Sequence, residues 1–419
     1  MSEPRFLTAS QCKDIAGRFG TPVYVYDEAG LKRSARKVLD FPRPFGFTGR
    51  YAMKACSNAA ILQVFHQMGL EMDASSGFEA RRAMRAGIPA QHISLSAQEF
   101  PNDFVDLLRA GISINACSLK QLRALGEALP GNRVGLRINP GLGSGSSHKT
   151  NVGGPSSSFG IWHERLPEAK EIIGRFDLEV FRIHTHIGSG SDPAVWQKSA
   201  LLTLGQVEGF PAATHLNLGG GFKVGRMREE VGTDLSEVGV PIKAALEDFA
   251  RLTGRKLHLE IEPGTFLVAN AGCLLASVED KTTTGDEGHV FLKLDAGMSD
   301  ILRPTLYAAQ QPMTVVPLAK KSGQEMESVI VVGHCCESGD LLTPDPSDPV
   351  RLKERSLVRA EIGDLMVIDG AGAYCAAMQA KNYNSFPEAP EALLRESGEI
   401  TLIRKRQTLD QIVQNEVPL

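Results

Sequence analysis

A strict rhythm constrains this chain more than any other feature. Short apolar runs recur eight times, and each is followed by a stretch of helical periodicity. The runs are Arg50–Lys54, Leu70–Ala74, His92–Ser96, Ile112–Ala116, Arg133–Asn139, Glu179–His186, His215–Leu218 and Lys256–Glu262. Between them lie candidate helices such as Asn58–Met68, Phe78–Ala86, Asn102–Ala110, Leu119–Leu129, Pro167–Arg175, Pro193–Glu208 and Val240–Leu252. Asn58 and Asn102 suit N-caps, and Gly69, Gly87 and Gly111 stand where helices should stop. Strand and helix alternating eight times predicts an α/β fold, a parallel (β/α)8 TIM-type barrel. A doubly wound open sheet alternates the same way, and the count of eight favours the barrel. The interval Pro140–Ser158 breaks the rhythm. It is rich in glycine and serine, and its length marks it as a candidate functional loop.

After Glu262 the pattern changes. Val290–Asp295, Met313–Leu318, Glu327–Val332, Leu357–Ile362 and Leu365–Ile368 read as closely spaced strands with little helix between them. A separate C-terminal all-β domain is expected, of the Greek-key barrel-like kind. Thr21–Asp27, β-branched and aromatic, reads as a strand that precedes the barrel and pairs with that later domain. The expected division is an N-terminal strand segment over 1–29, a barrel over 30–275 and a β domain over 276–419, with the boundary near Cys273–Asp286.

A chain of 419 residues has room for two domains. Its net charge of −4 leaves no basic footprint for nucleic acid. No apolar run is long enough to span a bilayer, and the N-terminus lacks a basic-then-apolar signal pattern, so a cytoplasmic protein is expected. The seven cysteines are scattered and contain no C-x-x-C, which suits free thiols and argues against a zinc site.

If the strands are placed correctly, their C-terminal ends share one mouth, where barrel enzymes do chemistry. Those ends carry Lys54, Asp73, Ser96, Asn115, Arg137, His186, the run Gly219-Gly220-Gly221, and Glu262. A lysine at the tip of an apolar strand is expected to be partly desolvated, which makes a usable amine nucleophile. Taken alone, it reads equally as a surface lysine. Three glycines after the seventh strand stand where barrels often hold phosphate on backbone N–H groups. Taken alone, they read as a turn. An amine beside a phosphate cradle suggests pyridoxal phosphate held as a Schiff base. Glu262 could then face the ring nitrogen and keep it protonated.

Several motifs carry a resemblance over nearly the whole chain. They are Tyr51-Ala52-Met53-Lys54-Ala55, Asp73-Ala74-Ser75-Ser76-Gly77, Arg137-Ile138-Asn139-Pro140-Gly141, His184-Thr185-His186-Ile187-Gly188-Ser189, Gly219–Gly221, Glu262-Pro263-Gly264, Arg303-Pro304-Thr305-Leu306-Tyr307, Cys336-Glu337-Ser338-Gly339-Asp340 and Gly372-Ala373-Tyr374. His148-Lys149-Thr150, in the long loop, belongs with them. By these the chain resembles the fold-type III pyridoxal phosphate decarboxylases, most of all the branch acting on diaminopimelate. The resemblance implies a barrel followed by a β domain that takes the N-terminal strand. It implies that Lys54 carries the cofactor and that His186 stacks on its ring. Asp73 falls within the cofactor site, Glu262 pairs with the ring nitrogen, and Ser189, Gly219–Gly221 and Tyr374 bind phosphate. It implies a homodimer with shared active sites, in which Cys336 and Glu337 come from the second subunit. Cys336 would protonate the carbanion, and Glu337 would meet the distal amine. Arg303, Tyr307 and Tyr374 are the remaining candidates for substrate binding. The expected reaction is decarboxylation of meso-2,6-diaminopimelate to L-lysine.

One departure stands out. Where the family usually carries arginine after Glu-Pro-Gly, this chain has Thr265. A hydroxyl brings one hydrogen bond and no charge. A decarboxylase for D-lysine or D-ornithine, whose substrates lack a distal carboxylate, is therefore the alternative. A non-catalytic homologue is a further one, although Lys54, His186, Glu262 and Cys336 are all present.

Overall fold

A computed structural model describes residues 3–145, 149, 151–188, 192–319 and 325–419. The chain divides into two compact units. One comprises residues 32–224 and 231–267; the other comprises 1–31, 225–230 and 268–419.

The first unit is a closed parallel barrel. Its strands are Phe47–Ala52, Glu71–Ala74, Ile93–Leu95, Ser113–Ala116, Arg133–Asn139, Glu179–His184, His215–Asn217 and His258–Ile261. Each pairs in parallel with the next, and the last returns to the first through Leu259 opposite Phe47. Parallel strands buried on both faces read as near-continuous apolar runs, which is why the rhythm shows in the sequence. Helices Ala59–Gln67, Gly77–Arg85, Leu119–Ala128, Pro193–Val207 and Leu235–Thr253 start on Asn58, Ser76, Ser118, Asp192 and Asp234, whose side chains accept from first-turn amides. Asn102 does not cap its helix. That helix begins at Phe104, and Asp103, at the cap position, pairs with Arg81 instead.

The barrel interior is polar where an apolar filling is usual. Arg182, 2 % exposed, places Nε 2.7 Å from Oε2 of Glu260, itself 1 % exposed. Arg50 Nη2 donates to Glu260 Oε1 at 2.9 Å, and Arg50 Nη1 lies 2.7 Å from Glu71 Oε2. Arg182 Nη1 also donates to Ser94 Oγ at 3.0 Å and Ser113 Oγ at 3.3 Å. Burial alone would raise the Glu260 pKa, but Arg182 and Arg50 outweigh it and hold the carboxyl well below the usual range.

The second unit is built on a mixed sheet. Val23–Asp27, buried throughout, lies between Gly272–Thr283, antiparallel, and Glu391–Leu394, parallel. Gly272–Thr283 also pairs with Val290–Leu294 and Leu365–Ile368, so the stretch expected near the boundary is a central strand. Its far half, Ser277 to Lys281, is polar and shed the sequence signature of a strand. Met326–Val332, Arg355–Val358, Met313–Val316 and Ile400–Arg404 extend the sheet. A helix at Ala9–Phe19, closed by a Thr8–Gln11 capping box, contributes Cys12 and Ile15 to a core with Val23, Val25, Cys273, Leu275, Val367 and Ala392. No helix among the described residues is long and apolar enough to cross a membrane.

Glu260→Gln leaves the buried Arg182 without a carboxylate and Arg50 with Glu71 alone, and should destabilise the barrel by about 3–5 kcal/mol. The depressed carboxyl adds stability that is present above its unfolded pKa of about 4.3 and is lost as pH falls toward the folded value. The melting-temperature gap between wild type and variant should therefore be full at neutral pH and shrink below about pH 4.3. A gap that widens in acid would contradict the assignment.

Candidate active site

Eight strand ends converge at one mouth of the barrel. The first strand stops at Ala52, and Lys54 sits on the single turn Met53–Ala55 instead of at the strand tip. Its side chain is exposed while Met53, Ala55, Cys56 and Ser57 around it are buried. The expected desolvated amine is thus a solvent-facing one on a rigid base. Tyr51 Oη donates to Cys56 O at 2.9 Å and closes the turn. Ala52 N–H donates to Pro263 O at 3.2 Å, which ties the lysine turn to the exit of the eighth strand. Gly264 permits this approach, since a Cβ there would stand 3.2 Å from both Ala52 Cβ and Ala52 O.

Glu262 leaves that eighth strand 5 % exposed. Its Oε1 accepts from Asn217 Nδ2 at 2.7 Å, and its Oε2 lies 3.2 Å from His184 Nε2. Burial raises its pKa, but His184, His186 and the Asn217 hydrogen bond prevail and hold it below the usual range. Asp73, also 5 % exposed, goes the other way. Burial and the Glu262 charge push it well above the carboxylate range, and Lys54 and Arg137 only partly offset them. Environment therefore pushes the two acids apart: Glu262 is held down and Asp73 is pushed up. Asp73 Oδ1 is buried without a partner. Glu79 accepts from Ser75 N–H at 2.7 Å and fixes the turn after Asp73.

His186 is held as a neutral ring. Burial lowers its pKa well below the usual value, and the charges of Lys54 and Arg137 lower it further. Gly220 N–H donates to its Nδ1 at 3.0 Å, so the ring proton resides on Nε2. Gly219 N–H donates to Asn217 Oδ1 at 2.9 Å. Both glycines are sterically required. A Cβ on Gly219 would meet Thr185 O at 2.6 Å, and one on Gly220 would meet Glu262 O at 2.2 Å. With those two amides committed, Gly221 N–H is the one of the three that makes no hydrogen bond among the described residues. Arg137 Nη2 is likewise buried without a partner, its guanidinium 5.0 Å from the Phe159 ring centroid. Ser189, His148 and Thr150 lie outside the described residues.

The β unit carries the other expected residues. Cys336 is exposed while the other six cysteines are buried. Asp340 shapes its loop, accepting from Cys335 N–H at 2.7 Å and Met298 N–H at 2.6 Å. Thr305 Oγ1 donates to Gly339 O at 2.9 Å, which joins the Cys336–Glu337 loop to the short helix Arg303–Tyr307. Arg303 stands 6.0 Å from the Tyr307 ring centroid. Tyr374 adopts the left-handed region, φ 55°.

Residue-by-residue reading did not find Arg50, Arg182, Asn217 or Glu260. The signal available was period two. Arg182 and His184, Asn217 and His215, and Glu260 and Glu262 are spaced so that both members of each pair point into the barrel. His215, His258 and Glu260 also have metal-ligand spacing, but the Glu260 oxygens already serve the arginines.

Residues 32–269 match the model of the pyridoxal-dependent decarboxylases, pyridoxal binding domain. A curated diaminopimelate decarboxylase of Escherichia coli K12 is 35 % identical, covering 98 % of this chain and 97 % of that protein. Among solved structures, one diaminopimelate decarboxylase superimposes with a TM-score of 0.91 at 35 % identity, covering 99 % of each chain. Another, from Helicobacter pylori complexed with L-lysine, gives 0.85 at 27 % identity over 96 % of this chain and 98 % of that one. Sequence over most of the barrel, full-length relatives and fold agree: the chain belongs to the pyridoxal-dependent decarboxylase family.

Proposed function

We propose that this protein decarboxylates meso-2,6-diaminopimelate to L-lysine and carbon dioxide with pyridoxal phosphate as cofactor, working as a cytoplasmic homodimer with shared active sites. The observation that carries the reaction class is the ionised, buried Glu262 whose strand exit is bonded to the Lys54 turn. The full-length similarity to diaminopimelate decarboxylases supports the substrate.

The residues fit this cofactor. An exposed amine stands ready for an aldehyde, and a fixed anion can hold a proton on a ring nitrogen. The neutral His186 offers a face for stacking, and its Nδ1 is already occupied by Gly220. The Gly219–Gly221 turn packs against the barrel backbone where any Cβ on Gly219 or Gly220 would collide, and Gly221 N–H, which makes no hydrogen bond among the described residues, is the amide left for a phosphate. Ser189 and Tyr374 complete that assignment, and Asp73, whose Oδ1 is buried without a partner, falls within the same site. When bound, pyridoxal phosphate supplies an electron sink for the pair left as carbon dioxide departs.

The remaining roles fall to side chains of the β unit. Cys336, the exposed thiol, returns a proton to the substrate carbon. Glu337 meets the distal ammonium, and Arg303 and Tyr307 receive the distal carboxylate. Cys336 and Glu337 act in the site of the partner subunit. A second reading, decarboxylation of D-lysine or D-ornithine, is favoured by one observation, the uncharged Thr265.

Carbon dioxide release with meso-diaminopimelate, D-lysine and D-ornithine side by side should show diaminopimelate turned over fastest. A preference for D-lysine would replace the substrate. Lys54→Ala should abolish release and borohydride trapping of the cofactor on the protein. Cys336→Ser should lower kcat by about 10²-fold or more. If sites are shared, equal amounts of the two inactive variants, dissociated and reassociated, should recover roughly one quarter of wild-type activity, since half the dimers are mixed and each has one intact site. No recovery would rule out sharing.

A further inference from the structure

One stretch of the β unit holds three non-glycine residues in the left-handed region: Asn382 at φ 58°, Asn384 at φ 51° and Ser385 at φ 59°. Such residues seldom adopt that region, and several so close together are costly. Asn384 and Ser385 are exposed, so burial of their side chains does not offset the cost. The shape is imposed by hydrogen bonds at the base of the stretch. Asn382 Nδ2 donates to Phe386 O at 2.9 Å and to Gln407 Oε1 at 2.7 Å, and Glu388 N–H donates to the same Gln407 oxygen at 3.1 Å.

What the stretch grips is the loop that carries the exposed thiol. Asn384 Oδ1 accepts from Cys336 N–H at 2.8 Å. The Phe386 ring lies flat on His334, with centroids 3.6 Å apart and planes within 3°. His334 Nε2 stands 2.7 Å from Ser299 Oγ, next to Met298, whose N–H is held by Asp340. All of these residues belong to the one unit. Inside the loop, Cys335 N–H goes to Asp340 Oδ2 and Glu337 N–H to Cys335 O. The Cys336 amide lies between them and takes its acceptor from 48 residues away. That contact fixes the backbone from which Cα–Cβ springs, and so the direction of the thiol. An exposed hydrogen bond adds little to stability. Strained backbone gathers where a fixed geometry serves function.

We propose that Asn384 is a positioning residue for Cys336, holding the loop so that Sγ faces the substrate carbon that loses carbon dioxide. This rests on the proposed function, in which Cys336 gives that carbon its proton, and deepens it. The thiol passes its proton to the carbon and regains one from solvent, and Asn384 takes part in neither transfer. Moving a reacting group by about 1 Å can cost about 10²-fold in rate, so a contact of little weight in folding can weigh heavily in turnover.

The test uses the holoenzyme and compares wild type, Asn384→Gly, Asn384→Asp and Cys336→Ser. Glycine removes the acceptor and leaves the left-handed backbone at ease, while aspartate keeps the acceptor and tolerates that backbone. Three quantities are read: hydrogen exchange of the peptide that contains the Cys336 amide, kcat and KM for meso-diaminopimelate, and the solvent deuterium isotope effect on kcat. Asn384→Gly should speed exchange there, lower kcat by about tenfold or more, leave KM within about twofold and raise the isotope effect, because proton delivery slows relative to the other steps. Asn384→Asp should bring exchange and kcat back toward wild type. Unchanged exchange in Asn384→Gly would overturn the assignment, and so would faster exchange with kcat unmoved. A fall in kcat with no change in isotope effect, or with no rescue by aspartate, marks a structural role and overturns it as well. Cys336→Ser with wild-type kcat and isotope effect would instead overturn the reading of Cys336 as proton donor, and the assignment with it, even where exchange shows the Asn384 contact intact.

Discussion

Inside the barrel a carboxylate is held by two guanidiniums in a space that excludes water. Arg182 reaches both Glu260 oxygens, Arg50 shares Oε1 with it, and Asn217 Nδ2 approaches Oε2 at 3.1 Å. The same Asn217 reaches Glu262 and, through Oδ1, the Gly219 amide. One amide side chain thereby ties the charged layer to Glu262 and to the start of the Gly219–Gly221 turn. Interactions of this kind are strong in a low dielectric and costly if left half made, so the layer acts as a stiff floor. Catalytic groups need positions fixed to fractions of an ångström, and such a floor supplies them.

Above that floor, protonation states are sorted by environment. Asp73 and Glu262 are equally buried, but Glu262 has His184, His186 and Asn217 for company while Asp73 has mainly the charge of Glu262. One charge is affordable there and two are not. His186, surrounded by cationic neighbours, stays neutral. The outcome is a Glu262 carboxyl held low beside a His186 ring held uncharged.

The barrel was legible because its strands are buried on both faces and so read as apolar runs. Lys54, His186, Gly219–Gly221 and Glu262 were legible because strand ends are where polar residues have no structural excuse. The floor was less so. Arg182 and Glu260 lie within apolar strands, where a charge looks like an interruption, and only the two-residue spacing to His184 and Glu262 reveals a common facing. A strand tip predicts a buried Lys54, but the chain makes one tight turn first and leaves the side chain exposed. In the β unit, strand Gly272–Thr283 was hidden by its polar half, and Ala9–Phe19 lacked a context that would give its apolar face a partner. Asn384 could not be read at all. It lies in a polar stretch, and only folding brings its side chain to the Cys336 amide.

The first strand of the chain, Val23–Asp27, waits longest for its neighbours. Its partners on either side are Gly272–Thr283 and Glu391–Leu394. During synthesis the barrel strands, all made before Glu262, can find one another while the β unit is still missing both edges of its central strand. The N-terminal segment must therefore stay unpaired until Gly272–Thr283 is made, and it keeps one edge open until Glu391–Leu394 follows near the end of the chain. Non-local pairing of this range slows folding and leaves a sticky strand available to other chains. A ribosome stalled late on this message would release a chain with a finished barrel and an unclosed sheet, a species that invites chaperone capture or aggregation.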